Sequence, residues 1–371
     1  MAGTVLIVAG GTGGHIFPAL AFGQWLRSQK KAERVAYISG NRALEAEIYA
    51  SQGIVPECLP LSGSPLGTSS VLQVVRRSSS LFGAFFRTGK IMRRLRPDLC
   101  FLFGGYVSLM PLLWCRLLRI PAVMHEPNAC AGKVTRLASR LGVSVAAGWN
   151  ECRGLSAPFV TTGIPVRRVK KMERRDAARA LNADAGEDLV IGVIGGSLSS
   201  ASLNALPGKL MEALRSGTTD GKERRPAFVV LGDPPGVAVP SIHFVGRRWD
   251  TAPFYSLIDA AVCRAGASTL AELALYGIPA LVVPWSDSAD GHQEANARCF
   301  AAMTGNPVWV EKKTKDAAGL DDAFTRLLAL CLSPDRPRAS GFAPHLNAEA
   351  ASQNLWQIGL KLCPERFPPL V

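Results

Sequence analysis

A short continuous run, Thr4–Ala9 (TVLIVA), apolar at every residue from Val5 on, passes directly into Gly10-Gly11-Thr12-Gly13-Gly14-His15. No other feature restricts the fold so strongly. A strand that is apolar throughout, rather than at alternate residues, is buried on both faces, and that is the signature of a parallel sheet. Four glycines in five residues permit the backbone conformations and close approaches of a tight strand-to-helix turn. Pro18 is expected to open the following helix at its favoured first position, with Ala21/Trp25 and Phe22/Leu26 stacked four residues apart. Further strands read at Arg34–Ser39, Asp98–Phe103 and Pro121–Glu126, with helical segments between them. The scheme restarts at Asp188–Ser200 (DLVIGVIGGSLSS), again as strand, Gly-Gly, polar loop and helix. It continues through strands at Ala227–Asp233, His243–Gly246, Asp259–Ser268 and Pro279–Pro284. The chain therefore reads as two Rossmann-like α/β halves, with a linker within Thr161–Lys171. Ligands are expected outside the carboxyl ends of the strands, in a cleft between the halves.

A length of 371 residues suits two domains. The 42 Lys and Arg against 29 Asp and Glu leave a net charge of +13, yet only 19% of residues are charged, which excludes a disordered, solvating chain. Nine cysteines lie at least fifteen residues apart, so no CxxC zinc or thioredoxin motif exists. They read as buried free thiols in a reducing cytoplasm. No secretory signal is expected, because Val5–Ala9 is too short an apolar core and no basic residue precedes it. Leu99–Cys115 is uncharged over seventeen residues, but its Gly104, Gly105, Ser108 and Pro111 read as a buried strand, a glycine turn and the start of a helix. Between Val71 and Pro97 seven basic residues and no acid interleave with Val71, Leu72, Val75, Leu81, Phe82, Phe85 and Phe86. Two readings stand: an interfacial helix resting on anionic lipid, or an ordinary amphipathic helix burying its phenylalanines. Without a nucleic-acid motif or an aromatic stacking platform, nucleic acid is not an expected partner.

The chemistry concentrates at strand ends. The first glycine loop lies where backbone N–H groups and a helix N-terminus can meet an anion. It matches neither a P-loop nor the dinucleotide fingerprint, since Ile16 stands where the third glycine would be. His15 at the end of this loop is expected to stay neutral beside a helix N-terminus and so to be able to accept a proton. Gly195-Gly196-Ser197 and Gly104-Gly105-Tyr106 are further strand-end loops, and His125-Glu126-Pro127-Asn128 follows another strand. Thr269-x-x-Glu272 has capping-box spacing; alternatively the Glu272 carboxylate accepts the two hydroxyls of a ribose. His292-Gln293-Glu294-x-Asn296 offers an imidazole and amides suited to sugar hydroxyls. No GxSxG elbow, DxD metal motif or close carboxylate pair appears, which speaks against serine hydrolases and metal-dependent sugar transfer.

Together these segments resemble the MurG family of GT-B glycosyltransferases. The resemblance runs through Gly10–Ala21, Gly104–Ser108, His125–Gly132, Gly163–Arg167, Gly195–Ser197, Tyr255–Glu272, Gly277–Pro284 and Gln293–Ala297. It implies two Rossmann-like domains facing across a cleft: 1–163 on the acceptor and membrane side, 164–344 on the donor side, and 345–371 packing back on the first. It implies inverting transfer of GlcNAc from UDP-GlcNAc to the C4 hydroxyl of MurNAc in undecaprenyl-pyrophosphoryl-MurNAc-pentapeptide. The enzyme would be peripheral, on the cytoplasmic face of the bacterial inner membrane. No cofactor would be required, with a divalent cation at most assisting.

The family's roles fall on matching residues. His15 matches the proposed base, and Glu126 its orienter or an alternative base. Thr12, Gly13 and Gly14 match the loop that meets donor and acceptor, while Gly104, Gly105 and Tyr106 match the loop near the acceptor pyrophosphate. On the donor side, Asn128 matches a GlcNAc contact, and Arg167 and Ser197 match UDP contacts. Val245 falls near the uracil contact, beside an apparent insertion at Gly246–Trp249. Ala267, Ser268, Thr269 and Leu270 match the phosphate-facing helix start, Glu272 the ribose carboxylate, and Gln293 the GlcNAc-binding glutamine. Val75, Leu81, Phe82, Phe85 and Phe86 fall where the family docks on the membrane. The chain departs from the family pattern at Leu198, His292, Ile164, Leu109-Met110 and Pro127. A diacylglycerol galactosyltransferase and a non-catalytic sugar-nucleotide-binding subunit are the alternative readings.

Overall fold

The computed structural model describes residues 3–61, 63, 71–155, 158–167, 170–183, 189–196, 201–217, 226–234, 242–311, 319–332 and 348–367. Side chains at 71–79, 201, 204, 212–217, 289, 332 and 348 are not described. Val75 therefore enters only through its backbone, and Ser197 lies outside the described residues. The chain divides into two compact units, Met1–Arg167 with Pro344–Val371, and Arg168–Ala343.

The first unit runs β1 (Thr4–Val8), α1 (Gly13–Ser28), β2 (Arg34–Ser39), α2 (Ala43–Ala50), β3 (Glu57–Cys58), α3 (Val71–Leu95), β4 (Leu99–Leu102), α4 (Leu109–Leu117), β5 (Ala122–Glu126), α5 (Lys133–Arg140), β6 (Ser144–Ala147) and β7 (Val160–Thr161). All seven strands pair in parallel, in the order β3-β2-β1-β4-β5-β6-β7. The order reverses between β1 and β4, and ligand crevices of open α/β sheets form at such a switch point. Leu6, Val8, Leu102 and Met124 are fully buried in the core. Complete burial of such side chains stabilises by roughly 1.5–3 kcal/mol each.

The second unit runs α6 (Arg174–Leu181), β8 (Val190–Ile194), α7 (Ala201–Asn204), α8 (Leu206–Gly217), β9 (Ala227–Leu231), β10 (Ile242–Phe244), α9 (Ala252–Leu257), β11 (Ala260–Cys263), α10 (Ala267–Tyr276), β12 (Ala280–Val282), α11 (His292–Thr304) and α12 (Leu320–Leu332). Its parallel order β10-β9-β8-β11-β12 repeats the first unit's pattern, with the switch between β8 and β11. Ile191, Val193, Phe228, Val262, Leu281 and Phe324 form its core.

The last helix, α13 (Ala348–Leu362), belongs to the first unit. Trp356 lies against Phe101 with ring centroids 6.2 Å apart. Gly359 allows the close packing, since a Cβ there would sit 2.7 Å from atoms of Leu99 and Phe101.

One expectation of local structure is corrected. Pro18 does not open α1; the helix starts five residues earlier, at Gly13, and Pro18 lies inside it. Gly13 and Gly14, which read as loop, open the first helical turn, so His15 is a helix residue, while Gly10 and Gly11 remain in the loop. The basic helix α3 carries features of both readings. Leu81 and Phe85 pack against the core, Phe85 beside Trp114 at 5.0 Å. Gly89 accepts the Trp114 ring, which a Cβ would meet at 2.3 Å. Only Phe82 and Phe86, at 73% and 70% exposure, turn to solvent among the described phenylalanines of this helix.

None of the nine cysteines forms a disulfide. Burial pushes the Cys263 thiol up to about 12, so it behaves as a small apolar side chain.

Candidate active site

In the first unit two glycine loops leave adjacent strands at the switch point. Val8 pairs with Leu102, and Phe103 N–H donates to the Val8 carbonyl at 2.8 Å. The loop after β1 ends on Thr12, the extended N-cap of α1, and the His15 and Ile16 N–H groups both donate to the Thr12 carbonyl. The loop after β4 contains Gly104 and Gly105, at φ +74° and +69°. The half-buried His15 ring lies against this backbone. A Cβ on Gly104 would stand 3.2 Å from His15 Cε1, and one on Gly105 would stand 3.5 Å from Cδ2. Both glycines are thus required twice over, by left-handed backbone and by the imidazole they accommodate. Tyr106 follows in a 3₁₀ turn, Tyr106–Ser108, and its Oη donates to Glu45 Oε1 at 2.7 Å.

Glu126 ends β5 and is 1% exposed. Its Oε1 accepts from Asn128 N–H at 3.1 Å and Asn128 Nδ2 at 3.0 Å. Its Oε2 accepts from Gly132 N–H at 3.0 Å and Thr135 Oγ1 at 2.6 Å. Four donors occupy the four lone-pair sites of a carboxylate. This arrangement holds Asn128 and the 127–132 loop, and to take up a substrate proton Glu126 would have to give up one of these bonds. The preceding His125 is fully buried, with Nε2 3.0 Å from the Gly163 carbonyl. Burial pushes its imidazole down to about 4, so it is neutral and donates from Nε2. Arg167, 7% exposed, lays its guanidinium 3.9 Å over the Phe17 ring on α1.

The second unit repeats the layout. Cys263 pairs with Ile194, and Arg264 N–H donates to the Ile194 carbonyl at 3.1 Å. Gly195 and Gly196 follow β8, with Gly196 exposed at φ +82°. After β11, the buried Arg264 donates to Ser202 Oγ at 2.6 Å and to the Val283 carbonyl at 3.2 Å, and pairs with Glu311 at 3.4 Å. Asn296, fully buried, donates to the Ala265 carbonyl at 3.0 Å. These contacts set Gly266 as the extended N-cap of α10, with no side-chain cap. The capping-box reading of Thr269 and Glu272 is therefore corrected. They are the third and sixth residues of the helix, too far along it to cap it. Glu272, 6% exposed, instead accepts from Tyr255 Oη at 2.6 Å.

Ala267, Ser268, Thr269 and Leu270 form the first turn of α10, where the helix dipole and backbone N–H groups favour an anion. Gln293, in the first turn of α11, accepts from Trp285 N–H at 2.9 Å through Oε1, which presents its amide nitrogen as a donor. Val245 N–H donates to the Val230 carbonyl, fixing the end of β10. Among the described residues no three His, Cys, Asp or Glu side chains gather as a metal site would need.

Sequence reasoning missed Glu45, Arg264 and Tyr255. Arg264 and Tyr255 lie inside the motif that singled out Glu272, but only their contacts give them a role. Nothing local marks Glu45, one of two acids in the helical run ALEAEIYA.

Two parallel, doubly wound units, each with a glycine loop at its switch point and an anion-suited helix start, define a nucleotide-sugar glycosyltransferase of the two-domain GT-B class. Residues 5–147 match the glycosyltransferase family 28 N-terminal domain, and residues 242–340 its C-terminal domain. A Pseudomonas putida protein named UDP-N-acetylglucosamine–N-acetylmuramyl-(pentapeptide) pyrophosphoryl-undecaprenol N-acetylglucosamine transferase is 33% identical, over 96% of this chain and 97% of its own. A protein of the same name from Syntrophotalea carbinolica is 34% identical, over 97% and 99%. The crystal structure of Acinetobacter baumannii MurG matches with a TM-score of 0.66 at 25% identity, over 97% of this chain and 99% of that one. The chain belongs to the MurG family of glycosyltransferases.

Proposed function

We propose that the protein transfers GlcNAc from UDP-GlcNAc to the C4 hydroxyl of MurNAc in undecaprenyl-pyrophosphoryl-MurNAc-pentapeptide, the reaction named for its relatives. The acceptor oxygen bonds to the anomeric carbon as the bond to UDP breaks, and the hydroxyl proton passes to the His15 imidazole. One displacement inverts the anomeric centre and yields a β-1,4 linkage. The observation that carries this reading is His15 in the first turn of α1, its ring laid on Gly104 and Gly105 where the strand order reverses.

On the donor side the first turn of α10 (Ala267–Leu270) receives the diphosphate, with the buried Arg264 adding positive charge two residues before its N-cap. Leaving-group charge is stabilised there by preorganised dipoles, so transfer needs no metal. Glu272 accepts the ribose hydroxyls, Gln293 donates to the sugar, Val245 borders the uracil, and Ser197 and Arg167 add UDP contacts. On the acceptor side Gly104, Gly105 and Tyr106 meet the pyrophosphate, and Thr12, Gly13 and Gly14 contribute backbone. Glu126 acts through Asn128, which it orients toward GlcNAc. Supporting a peripheral role on the cytoplasmic face of the inner membrane, Phe82 and Phe86 stand exposed among Arg87, Lys90 and Arg93. Among the described residues no helix is long and apolar enough to cross a membrane.

Incubation with labelled UDP-GlcNAc and the lipid acceptor tests the assignment. His15→Ala should lower kcat by roughly 10²–10⁴-fold, the usual contribution of a general base, while calorimetric UDP affinity holds. UDP release by the native enzyme without glycosylated lipid would refute the transferase reading. Consumption of UDP-galactose and diacylglycerol instead would reassign the substrates.

A further inference from the structure

Outside the residues that touch substrate in this scheme, one buried carboxylate joins both loops of the acceptor half. Glu45, on α2, is 0% exposed. Its Oε1 accepts from the Gly11 N–H of the first glycine loop and from Tyr106 Oη of the second, the latter at 2.7 Å. Its Oε2 accepts from Arg42 N–H at 3.2 Å. Arg42 closes the group from outside, with Nη1 3.5 Å from the Gly11 carbonyl and its guanidinium 5.1 Å from the Tyr106 ring centroid. Space for the carboxylate is cleared by Gly40, where a Cβ would stand 2.4 Å from Glu45 Oε2 and 2.9 Å from Tyr106 Oη. Gly11 itself is at φ +97°, and its Cβ would meet the Tyr106 ring at 3.5 Å.

We propose that Glu45 is a positioning residue for the transfer reaction: a single carboxylate oxygen sets the first glycine loop, and with it the start of α1 that carries His15, against the Tyr106 loop. The inference rests on the transfer reading above. An ionised carboxylate is the group that can serve all three donors at once. An amide has one oxygen, so it turns its NH₂ either toward Arg42 N–H or toward Gly11 and Tyr106, and at least one bond is lost in each case.

The test is steady-state kinetics of Glu45→Gln and Tyr106→Phe with UDP-GlcNAc and the lipid acceptor, alongside UDP calorimetry and thermal unfolding. Glu45→Gln should raise the acceptor KM and lower kcat, for a loss of about 10²-fold in kcat/KM, the scale of a small misplacement of reacting groups. UDP affinity should change far less than acceptor KM, because the diphosphate and ribose contacts at Ala267–Leu270 and Glu272 are set in the second unit. Tyr106→Phe should lose less in the same direction, and the double variant less than the product of the two losses, since both remove bonds to the same oxygen. Wild-type acceptor KM and kcat per folded molecule in Glu45→Gln would overturn the proposal, whatever its melting temperature. If that variant does not fold, an unchanged acceptor KM in Tyr106→Phe overturns it. A native enzyme that transfers nothing would sink the transfer reading itself, and this inference with it.

Discussion

Glu272 shows how one buried partner changes what a carboxylate can do. Had it capped α10, its lone pairs would be spent on backbone; held by Tyr255 Oη along the helix, it keeps acceptor capacity for a ligand. A ribose with both hydroxyls should therefore bind better than one without. Glu272→Ala should cost about 1.5–3 kcal/mol in UDP affinity, the range for hydrogen bonds to a charged group. In the native protein 2′-deoxy-UDP should bind more weakly than UDP, and in Glu272→Ala the two should bind alike. Calorimetry with both nucleotides checks this, and equal binding to the native protein would refute the ribose role.

His125 carries a second prediction at the same scale. Its imidazole is held down to about 4 by burial, with the neighbouring His15 charge acting in the same direction and Glu126 and the Gly163 carbonyl opposing. An unfolded histidine titrates near 6.5. Between those values the unfolded chain binds a proton that the folded chain refuses, so this contribution is intact above pH 6.5 and is lost as pH falls toward 4. The native protein should lose about 2 kcal/mol more than His125→Asn between pH 7 and pH 5. Denaturant unfolding at the two pH values measures the difference; parallel losses would contradict the assignment.

Among elements, α3 is anchored in the core along part of its length and exposes two phenylalanines on another. Ala84, Ile91, Met92 and Leu95 anchor it in the core. Trp114 Nε1 donates to the Phe85 carbonyl at 2.7 Å, tying it to α4. Phe82 and Phe86 stay outside, four residues apart on one face. Replacing both with serine should leave the melting temperature near that of the native protein, because neither side chain is buried. It should weaken sedimentation with vesicles containing phosphatidylglycerol, and leave turnover of a short-chain, water-soluble acceptor intact. Undiminished vesicle binding would assign the membrane contact to other residues.

Element starts were less legible than element cores. Strands such as β1 and β8 announce themselves, because a strand buried on both faces has no reason to alternate. The start of α1 does not. Gly13 and Gly14 have poor helix propensity, which pointed to Pro18 as the first residue, but tertiary context overrides propensity when the preceding strand delivers the chain in the right direction. In the second unit the N-cap of α10 falls at Gly266 rather than Thr269, where Arg264 and Asn296 hold the approach.

At the scale of the whole molecule, one topology appears twice, and each copy places its glycine loops at the point where strand order reverses. The net charge of +13 is shared between exposed arginines and paired ones. Arg174, for example, is tied to Asp259 at 3.2 Å and to the Leu257 carbonyl at 3.1 Å. Charge that is already paired contributes less to attraction toward an anionic surface, and free surface charge acts only over about a Debye length. The proposed membrane contact is therefore assigned to α3 rather than to the chain's overall charge.

Patterns readable within a dozen neighbouring residues were enough for the two α/β halves, their parallel strands and the glycine loops at strand ends, because burial, backbone freedom and periodicity are local properties. Which loops meet was settled by folding. His15 lies against Gly104 and Gly105, ninety residues away, and Glu45 reaches Gly11 and Tyr106 from a helix with no marker of its own. Such contacts depend on which strands become neighbours in the sheet, and no stretch of chain carries that information by itself.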